Sequence, residues 1–392
     1  MLKAYSYRLY PNKEQEQYFL QSFWCARFVY NNALDYKKRL YEEKKESISD
    51  YSLIRRLPAL KSEYEWLKKA DAQVLAQSIL HMCSAYRRFF KEKKWYPKFK
   101  KRKGRESLSY TQGIKVFDDT IQVPKIGKVS YRKDRGFIGK VKTCTISKTT
   151  TNKYFISILV DDWMEVTIKA PVKEILGIDL WIKEFAVLSN GERIANPKFL
   201  KENMERLKIL QRRASKKIKW SANRRKANLK VARMHERIAN QRKDFLQKLS
   251  TNVVKNHNSI GMEDLNVKGM MKNHCLAWSI GDASWSEFRR MIEYKCRWYG
   301  KNLFIVDRFF PSSKLCTCWK KNIYLKLSDR EWTCFSCGQV HDRDLLASQN
   351  IARFAGVQCS EVSLEMFSVE ESVKEKYSID SILVTVNFKT DK

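Results

Sequence analysis

No stretch of about 18 consecutive apolar residues occurs in the chain, and a helix needs roughly that length to cross a bilayer. A membrane span is therefore not expected. The first residues, MLKAYSYRLYPNK, hold no apolar run of signal-peptide length, so no secretory leader is expected either. A disulfide framework is also missing, because the ten cysteines are scattered apart from four between 316 and 337. Without a leader, that distribution argues for a reducing cytosol in which thiols hold metal rather than each other. The largest shortage is of acid. Asp and Glu number 43 against 77 Lys and Arg, a formal net charge of +34 at pH 7. Such an excess repels itself unless a polyanion neutralises it, which points to nucleic acid rather than to a merely soluble basic protein. Hydrophobic content is an ordinary 43%. The 392 residues are enough for two or three domains with cores of their own.

Residues 2–10 (LKAYSYRLY) alternate as a strand does. Pro11 and Asn12 end it, and Asn12 with Gln15 has the form of a capping box. Phe19, Phe23, Ala26, Tyr30 and Ala33 then recur at helical spacing, as the core face of a helix. Helical pattern continues to about residue 92. In 91–105, KEKKWYPKFKKRKGR, nine basic residues meet one acid, and Pro97 argues against a regular helix. Trp95, Tyr96 and Phe99 interleave there with Lys94, Lys98 and Lys100. A solvated basic loop has no need of those rings. Bases stack on aromatics while lysines hold phosphates, so these six residues read as a nucleic-acid contact. From about 106 to 170, short runs rich in Val, Ile, Thr and Tyr (GIKVF, TIQVPKIGKVSYR, KVKTCTISKT, KYFISILVD) predict a small antiparallel barrel. The strand at 2–10 is expected to join it, which makes the helical module an insertion.

The second half changes character. EILGIDL reads as a short apolar strand and FAVLSNGERI as a hairpin turning at Asn190-Gly191. Residues 198–249 carry 18 Lys and Arg against four acids and no proline. Two long basic helices with a break near Trp220-Ser221 are predicted. A net of +14 (18 − 4) over 52 residues suits a clamp on a phosphate backbone, with Arg212, Arg213, Arg224, Arg225, Arg237 and Arg242 as contacts. The plainer alternative is a solvated helical hairpin, on which Arg237 and His235 are simply exposed. HNSIGMEDL (257–265) and KNLFIVD (301–307) read as further strands. Ser284 and Glu287 predict a capping box for a helix carrying Trp285, Phe288, Ile292 and Cys296. A last helix is expected from about Asp344 to Phe354. Beyond 360, seven acids against four bases mark a peripheral acidic tail.

Two motifs carry chemistry. Cys316 and Cys318 form C-x-C, and Cys334 and Cys337 form C-x-x-C, on either side of a hairpin-like insert. The second spacing suits a tetrahedral thiolate site, whereas the first predicts strain. His341 is a further candidate ligand. The other motif is a set of acids. An ionised Asp or Glu in an apolar strand costs several kcal/mol unless it is paired or ligates a metal. Asp179 in LGIDLWI and Glu263 in SIGMEDL pose that problem. Asp344, 165 residues (344 − 179) beyond the first, completes a set of three. Three acids around two divalent ions suit phosphodiester hydrolysis. Taken singly, each could equally be a cap or half of an ion pair.

The segments MLKAYSYRLYPNKEQ, FVYNNAL, YPKFKKRK, GIDLWIKEFAVLSNGERI, ARMHERIANQRKDFLQKLS, GMEDLNVKGM and LSDREWTCFSCGQVHDRD follow one another over residues 1 to about 356. In them the chain resembles the TnpB/OrfB proteins of bacterial insertion sequences, relatives of the type V CRISPR effectors. The resemblance implies an α+β multidomain fold: a β-barrel wedge domain (1–10 plus 106–170) and, inserted in it, a helical recognition domain (11–105). It further implies an RNase H-like RuvC nuclease domain (171–310 plus 341–356, with long basic helices at 198–256), a zinc-ribbon-like insert (311–340) and an acidic tail (357–392). It implies a cytoplasmic RNA-guided DNA endonuclease, partnered by guide RNA from the transposon end and by target double-stranded DNA. Asp179, Glu263 and Asp344 would be its catalytic acids and magnesium (or manganese) ligands. Asp342 is the weaker choice for the third acid, and Asp264 should face away from Glu263. Cys316, Cys318, Cys334 and Cys337 would hold zinc. Three departures stand out: Cys316-Thr317-Cys318-Trp319 where the family usually has C-x-x-C-G, Trp181 where it commonly has glycine, and Leu346 where it commonly has asparagine. They keep open a guided DNA-binding protein with weakened or absent cleavage, and the triad, which RNase H-like transposases also use, leaves a transposase that joins strands itself as a further alternative.

Overall fold

The structure, a computed structural model, describes residues 1–93, 95–102, 104, 106–164, 172, 174–326 and 328–357. Lys94 of the basic loop, and the acidic tail from 358 onward, lie outside the described residues. The chain forms two compact units, Met1–Glu165 with Leu210–Glu236 and Val166–Ile209 with Arg237–Lys392.

The first unit opens with strand β1 (Leu2–Tyr10) and helices α1 (Lys13–Lys44), α2 (Asp50–Arg55), α3 (Leu57–Glu63) and α4 (Ala72–Glu92). Strands β2 (Glu106–Tyr110), β3 (Lys115–Val116), β4 (Thr120–Val123), β5 (Gly127–Arg132), β6 (Lys140–Lys148) and β7 (Tyr154–Asp161) follow. Their seven-stranded sheet has the order β2-β6-β7-β1-β5-β4-β3. β1 lies between β7 and β5, antiparallel to both, so the helices between β1 and β2 are an insertion into the sheet, as expected. The strands of the expected barrel share one core with Phe19, Phe23 and Ala26 of α1, and their ladder order ends at β2 and β3. The capping box at Asn12 and Gln15 is formed. The next face of α1, with Tyr30 and Ala33, packs on Leu53, Leu57, Leu75 and Ile79 as a separate helical core.

The second unit contains strands β8 (Ile175–Leu180), β9 (Glu184–Leu188) and β10 (Arg193–Ala195). The basic stretch forms α5 (Phe199–Ser215) and α6 (Ala222–Asn256), with the break where it was expected. Both helices contribute residues to each unit. Then come β11 (Ser259–Glu263), α7 (Val267–Met270), α8 (Ala277–Ala283), α9 (Trp285–Tyr299), β12 (Asn302–Val306), β13 (Glu331–Thr333) and β14 (Val340–Asp342), and a helix over 343–357, here α10. The five-stranded sheet has the order β10-β9-β8-β11-β12. β8 to β10 are antiparallel and β8, β11 and β12 parallel. The Asn190-Gly191 turn is formed, with Gly191 at φ +90°. One expectation fails. Ser284 has φ 55° and makes no side-chain cap. Its hydroxyl donates back to the Gly281 carbonyl (2.9 Å), because Ser284 also closes α8, whose last turn abuts α9. Glu287 instead pairs with Arg290. Among the described residues, no helix is long and apolar enough to cross a membrane.

Candidate active site

The site starts from two glycines. β8 and β11 run parallel in the register Gly177↔Gly261 and Ile178↔Met262, so the next step sets Asp179 beside Glu263. The two-residue period of a strand puts each acid on the same face as the glycine two places before it. α10 lies against that face at very close range. A Cβ on Gly177 would stand 1.9 Å from the Ser348 carbonyl oxygen, and one on Gly261 would stand 3.3 Å from that of Ile351. Glycine lets the helix backbone approach the sheet, and Asp344, in the first turn of α10, thereby joins the two strand acids. Electrostatics registers the crowding. Burial pushes the Asp179 carboxyl up to about 8, and the Glu263 and Asp344 carboxylates push in the same direction. Burial also raises Glu263, against a lowering hydrogen bond donated by Ser312. The three acids predicted from sequence are thus brought together, across 165 residues (344 − 179) of chain.

Cations surround the third acid. Arg330 reaches one Asp344 oxygen at 3.0 Å and Arg343 the other at 3.3 Å. Arg343 is buried and donates to the Asp329 carbonyl (3.1 Å). Both guanidiniums lie over the Trp181 ring, 5.1 and 4.9 Å from its centroid. Trp181, the departure from glycine, therefore fills space beside Asp344 and holds its two arginines. Leu346, the departure from asparagine, is buried with Cys316, Leu325, Trp332 and Cys334. Asp342 serves the helix instead. One of its oxygens accepts from the Asp344 and Leu345 amides (3.1 and 2.9 Å), capping α10, and the other pairs with Arg193 (2.8 Å). Asp264 is paired with Arg289 and Arg308, which hold its carboxyl below the usual range.

The four cysteines converge despite the short first spacing. Their sulfurs lie within 4.8 Å of one another, with Cys316–Cys337 at 3.5 Å and Cys318–Cys334 at 3.7 Å. A tetrahedron with ~2.3 Å zinc–sulfur bonds has edges of about 3.8 Å, so the cluster suggests zinc. The strain predicted for C-x-C appears at the residue after it: Trp319 adopts φ 65°, matching Gly338 at φ 72° after the second pair. The Cys334 thiol is drawn down to about 6, chiefly by the Cys337 amide and then by that of Ser336. His341 does not join the four-sulfur set. It is buried, with Nε2 3.0 Å from the Cys316 sulfur and its ring 4.9 Å from that of Trp332.

Comparison with known proteins identifies the family. Family models match at residues 1–46 (a helix-turn-helix domain), 156–274 (OrfB/IS605, "Probable transposase") and 285–351 (the Cas12f1-like TNB domain). A "Putative RNA-guided DNA endonuclease" of Streptomyces pristinaespiralis is 38% identical over 89% of this chain and 88% of its own length. The chain belongs to the TnpB/OrfB family. InsQ of Escherichia coli (strain K12), described in the same words, is 31% identical over 92% of this TnpB-family chain and 94% of its own. In fold, the chain resembles the solved structure of a Cas12f1–sgRNA–target DNA complex with a TM-score of 0.57, at 14% identity, over 90% of this chain and 98% of that one.

The expected nucleic-acid contacts of this TnpB-family protein divide. Trp95, Tyr96, Lys98 and Phe99 are exposed, as are Arg212, Arg213, Arg225 and Arg237. Three candidates are half-buried and engaged within the protein. Lys100 is half-buried, its amide bonded to Asn31 (2.8 Å) and its ammonium over the Tyr30 ring (4.2 Å); it braces the loop on α1. Arg242 is half-buried in a pair with Asp282 (2.9 Å), which also accepts from the Leu200 amide. Arg224 is likewise turned inward, donating to the Lys217 carbonyl (2.7 Å). Sequence reasoning missed Gly177, Gly261, Ser312, Arg330 and Arg343. A glycine two residues before each strand acid was the legible signal; the arginines and Ser312 leave no spacing signature.

Proposed function

We propose that this chain is a transposon-encoded, RNA-guided DNA endonuclease that hydrolyses phosphodiester bonds in guide-matched DNA with magnesium or manganese. The observation that carries the reading is the convergence of Asp179, Glu263 and Asp344 at the start of α10. Three neighbouring carboxylates, two of them with raised pKa values, would offer oxygen donors of the kind that suits a hard divalent cation. When bound, such ions would activate water and stabilise the leaving oxygen of the cleaved strand. The chain's own residues prepare the site. The Ser312 hydroxyl orients Glu263. The Asn350 amide holds the Ser312 and Leu315 carbonyls at 2.7 and 2.6 Å, tying that turn to α10. Asp342 caps the helix so that its first turn, and Asp344, are fixed.

The five-stranded sheet with α10 fits an RNase H-like nuclease domain, and the segment 311–340 fits its zinc-ribbon insert. The seven-stranded sheet fits a wedge domain and α1–α4 the recognition insertion. Guide RNA and target DNA are the partners that the basic charge calls for. The deciding experiment is Asp179→Ala in guided cleavage with magnesium: cutting should vanish while RNA binding stays nearly intact, and loss of RNA binding would contradict the role.

A second reading, a guided binder with weakened cleavage, draws on one observation. Both oxygens of Asp344 are held by guanidiniums stacked on Trp181, which stands where the family commonly has glycine. Guided DNA binding without cutting, in the parent protein with magnesium, would favour it.

A further inference from the structure

The turn between α5 and α6 presents a feature that the cleavage chemistry does not use. Trp220 sits there with φ 70° and its side chain is 79% exposed. A bulky residue in the left-handed region is strained, and such strain persists where the surroundings enforce it. Here they do. The Arg224 guanidinium bonds the Lys217 carbonyl (2.7 Å), the Arg224 amide bonds the Ser221 hydroxyl (3.1 Å), and the Ser221 amide bonds the Ile218 carbonyl (3.3 Å). The ring borders a cleft of about 1180 Å³ within the first unit, between this turn, the start of α6 and the β6–β7 turn. The opposite wall is fixed as well, because Thr151 and Lys153 both bond Glu236 of α6, at 3.0 and 2.9 Å. Among the described residues, the lining contains Arg102, Lys219, Arg225 and Lys226, all exposed, and no acid. Asn152 and Asn228 also line it.

We propose that this cleft is a binding site for an unpaired nucleotide of single-stranded RNA. The base would stack on Trp220, the flanking phosphates would lie on Arg102, Lys219, Arg225 and Lys226, and Asn152 and Asn228 would bond the ribose hydroxyl. A flat exposed ring accepts only a base out of the duplex stack, and aromatic stacking with surrounding cations is how single strands are held. Amides beside the sugar offer partners to the 2′-hydroxyl, the group that separates RNA from DNA. The inference rests on the RNA-guided reading for its partner and adds where an unpaired segment of that RNA sits.

The test uses the full-length protein and a fluorescent octauridine RNA, with the matching deoxyuridine oligomer and an RNA duplex of equal length as controls. Binding is measured across a salt series, since the net charge alone attracts any polyanion. Trp220→Ala should weaken octauridine binding about tenfold, the contribution of one stacked base. It should leave duplex binding unchanged, and Trp220→Phe should recover most of the loss. Arg225→Ala should instead lower the slope against log salt by about 1. Equal octauridine affinity in parent and Trp220→Ala would overturn the proposal, as would a duplex that loses as much. A deoxyuridine oligomer bound as tightly, and with the same sensitivity to Trp220, would overturn the assignment to RNA. If the parent fails at guided cleavage yet shows the Trp220-dependent preference, the endonuclease reading falls and the cleft stands; guided cleavage with no Trp220 effect gives the reverse.

Discussion

The seven-stranded sheet buries Tyr7, Leu9, Ile146 and Ile156 with no acid among the described buried residues of its strands. The five-stranded sheet ends in Asp179 and Glu263 and gives up side chains at Gly177 and Gly261 on the same face. The first is assembled by apolar area and alternation alone. The second keeps like charges together in a half-dry place and surrenders packing atoms so that a helix can deliver a third. The difference teaches that stability and chemistry are distributed unevenly in this chain, and that the second sheet departs from the ordinary rules of strand sequence where it gathers its acids.

Three substitutions separate the sheets. Asp179→Asn should have the largest effect, lowering guided cleavage by roughly a thousandfold, the upper end for removal of one electrostatic group. The same change should raise the melting temperature of protein freed of divalent ions. Because the folded pKa of Asp179 is raised to about 8, its contribution to stability is full below about pH 4 and is lost as pH rises through 8. A melting series from pH 4 to 8 should therefore fall in the parent and fall less in the variant; equal slopes would remove the crowding argument. Gly177→Ala comes next. Its Cβ would meet backbone, so on the order of 3 kcal/mol should be lost, and cleavage should suffer beyond the loss of folded protein as Asp344 shifts. Ile156→Ala, in the other sheet, should cost about 2–5 kcal/mol and leave cleavage per folded molecule unchanged. If Ile156→Ala changes turnover, or Gly177→Ala does not, the comparison breaks.

The smallest effects lie in the cysteine insert. Metal analysis should find about one zinc per chain, and Cys316→Ser should lower it. Trp319→Gly should relieve the left-handed backbone and stabilise by about 1 kcal/mol, where Gly338→Ala should cost a similar amount. No gain from Trp319→Gly in thermal melts would mean that the short spacing is not strained at that residue.

Much of this was legible in the sequence. Strand alternation at 2–10, the Asn12 cap, the Asn190-Gly191 turn and the break before Ser221 are local signals with local causes. The acids could be named because an Asp or Glu in an apolar strand demands a reason. What stayed hidden depends on distant contacts. Ser284 has the spelling of a cap, but the preceding helix takes its backbone. Lys100 and Arg242 count as free charge until Tyr30 and Asp282 are seen beside them. Arg330 and Arg343 become partners of Asp344 only when the insert folds back, and the C-x-C pair closes because Trp319 accepts a conformation that its spacing alone would not suggest.

The order of the site's parts along the chain has a consequence for synthesis. Domains form as they emerge, N-terminal portions first, and the basic segments at 91–105 and 198–249 precede Asp344. On the proposed reading, a growing chain would grip nucleic acid long before it could cut. With two acids made and the third still in the ribosome, the nascent protein would be a binder without a blade, free to find an RNA before it becomes a hazard to DNA.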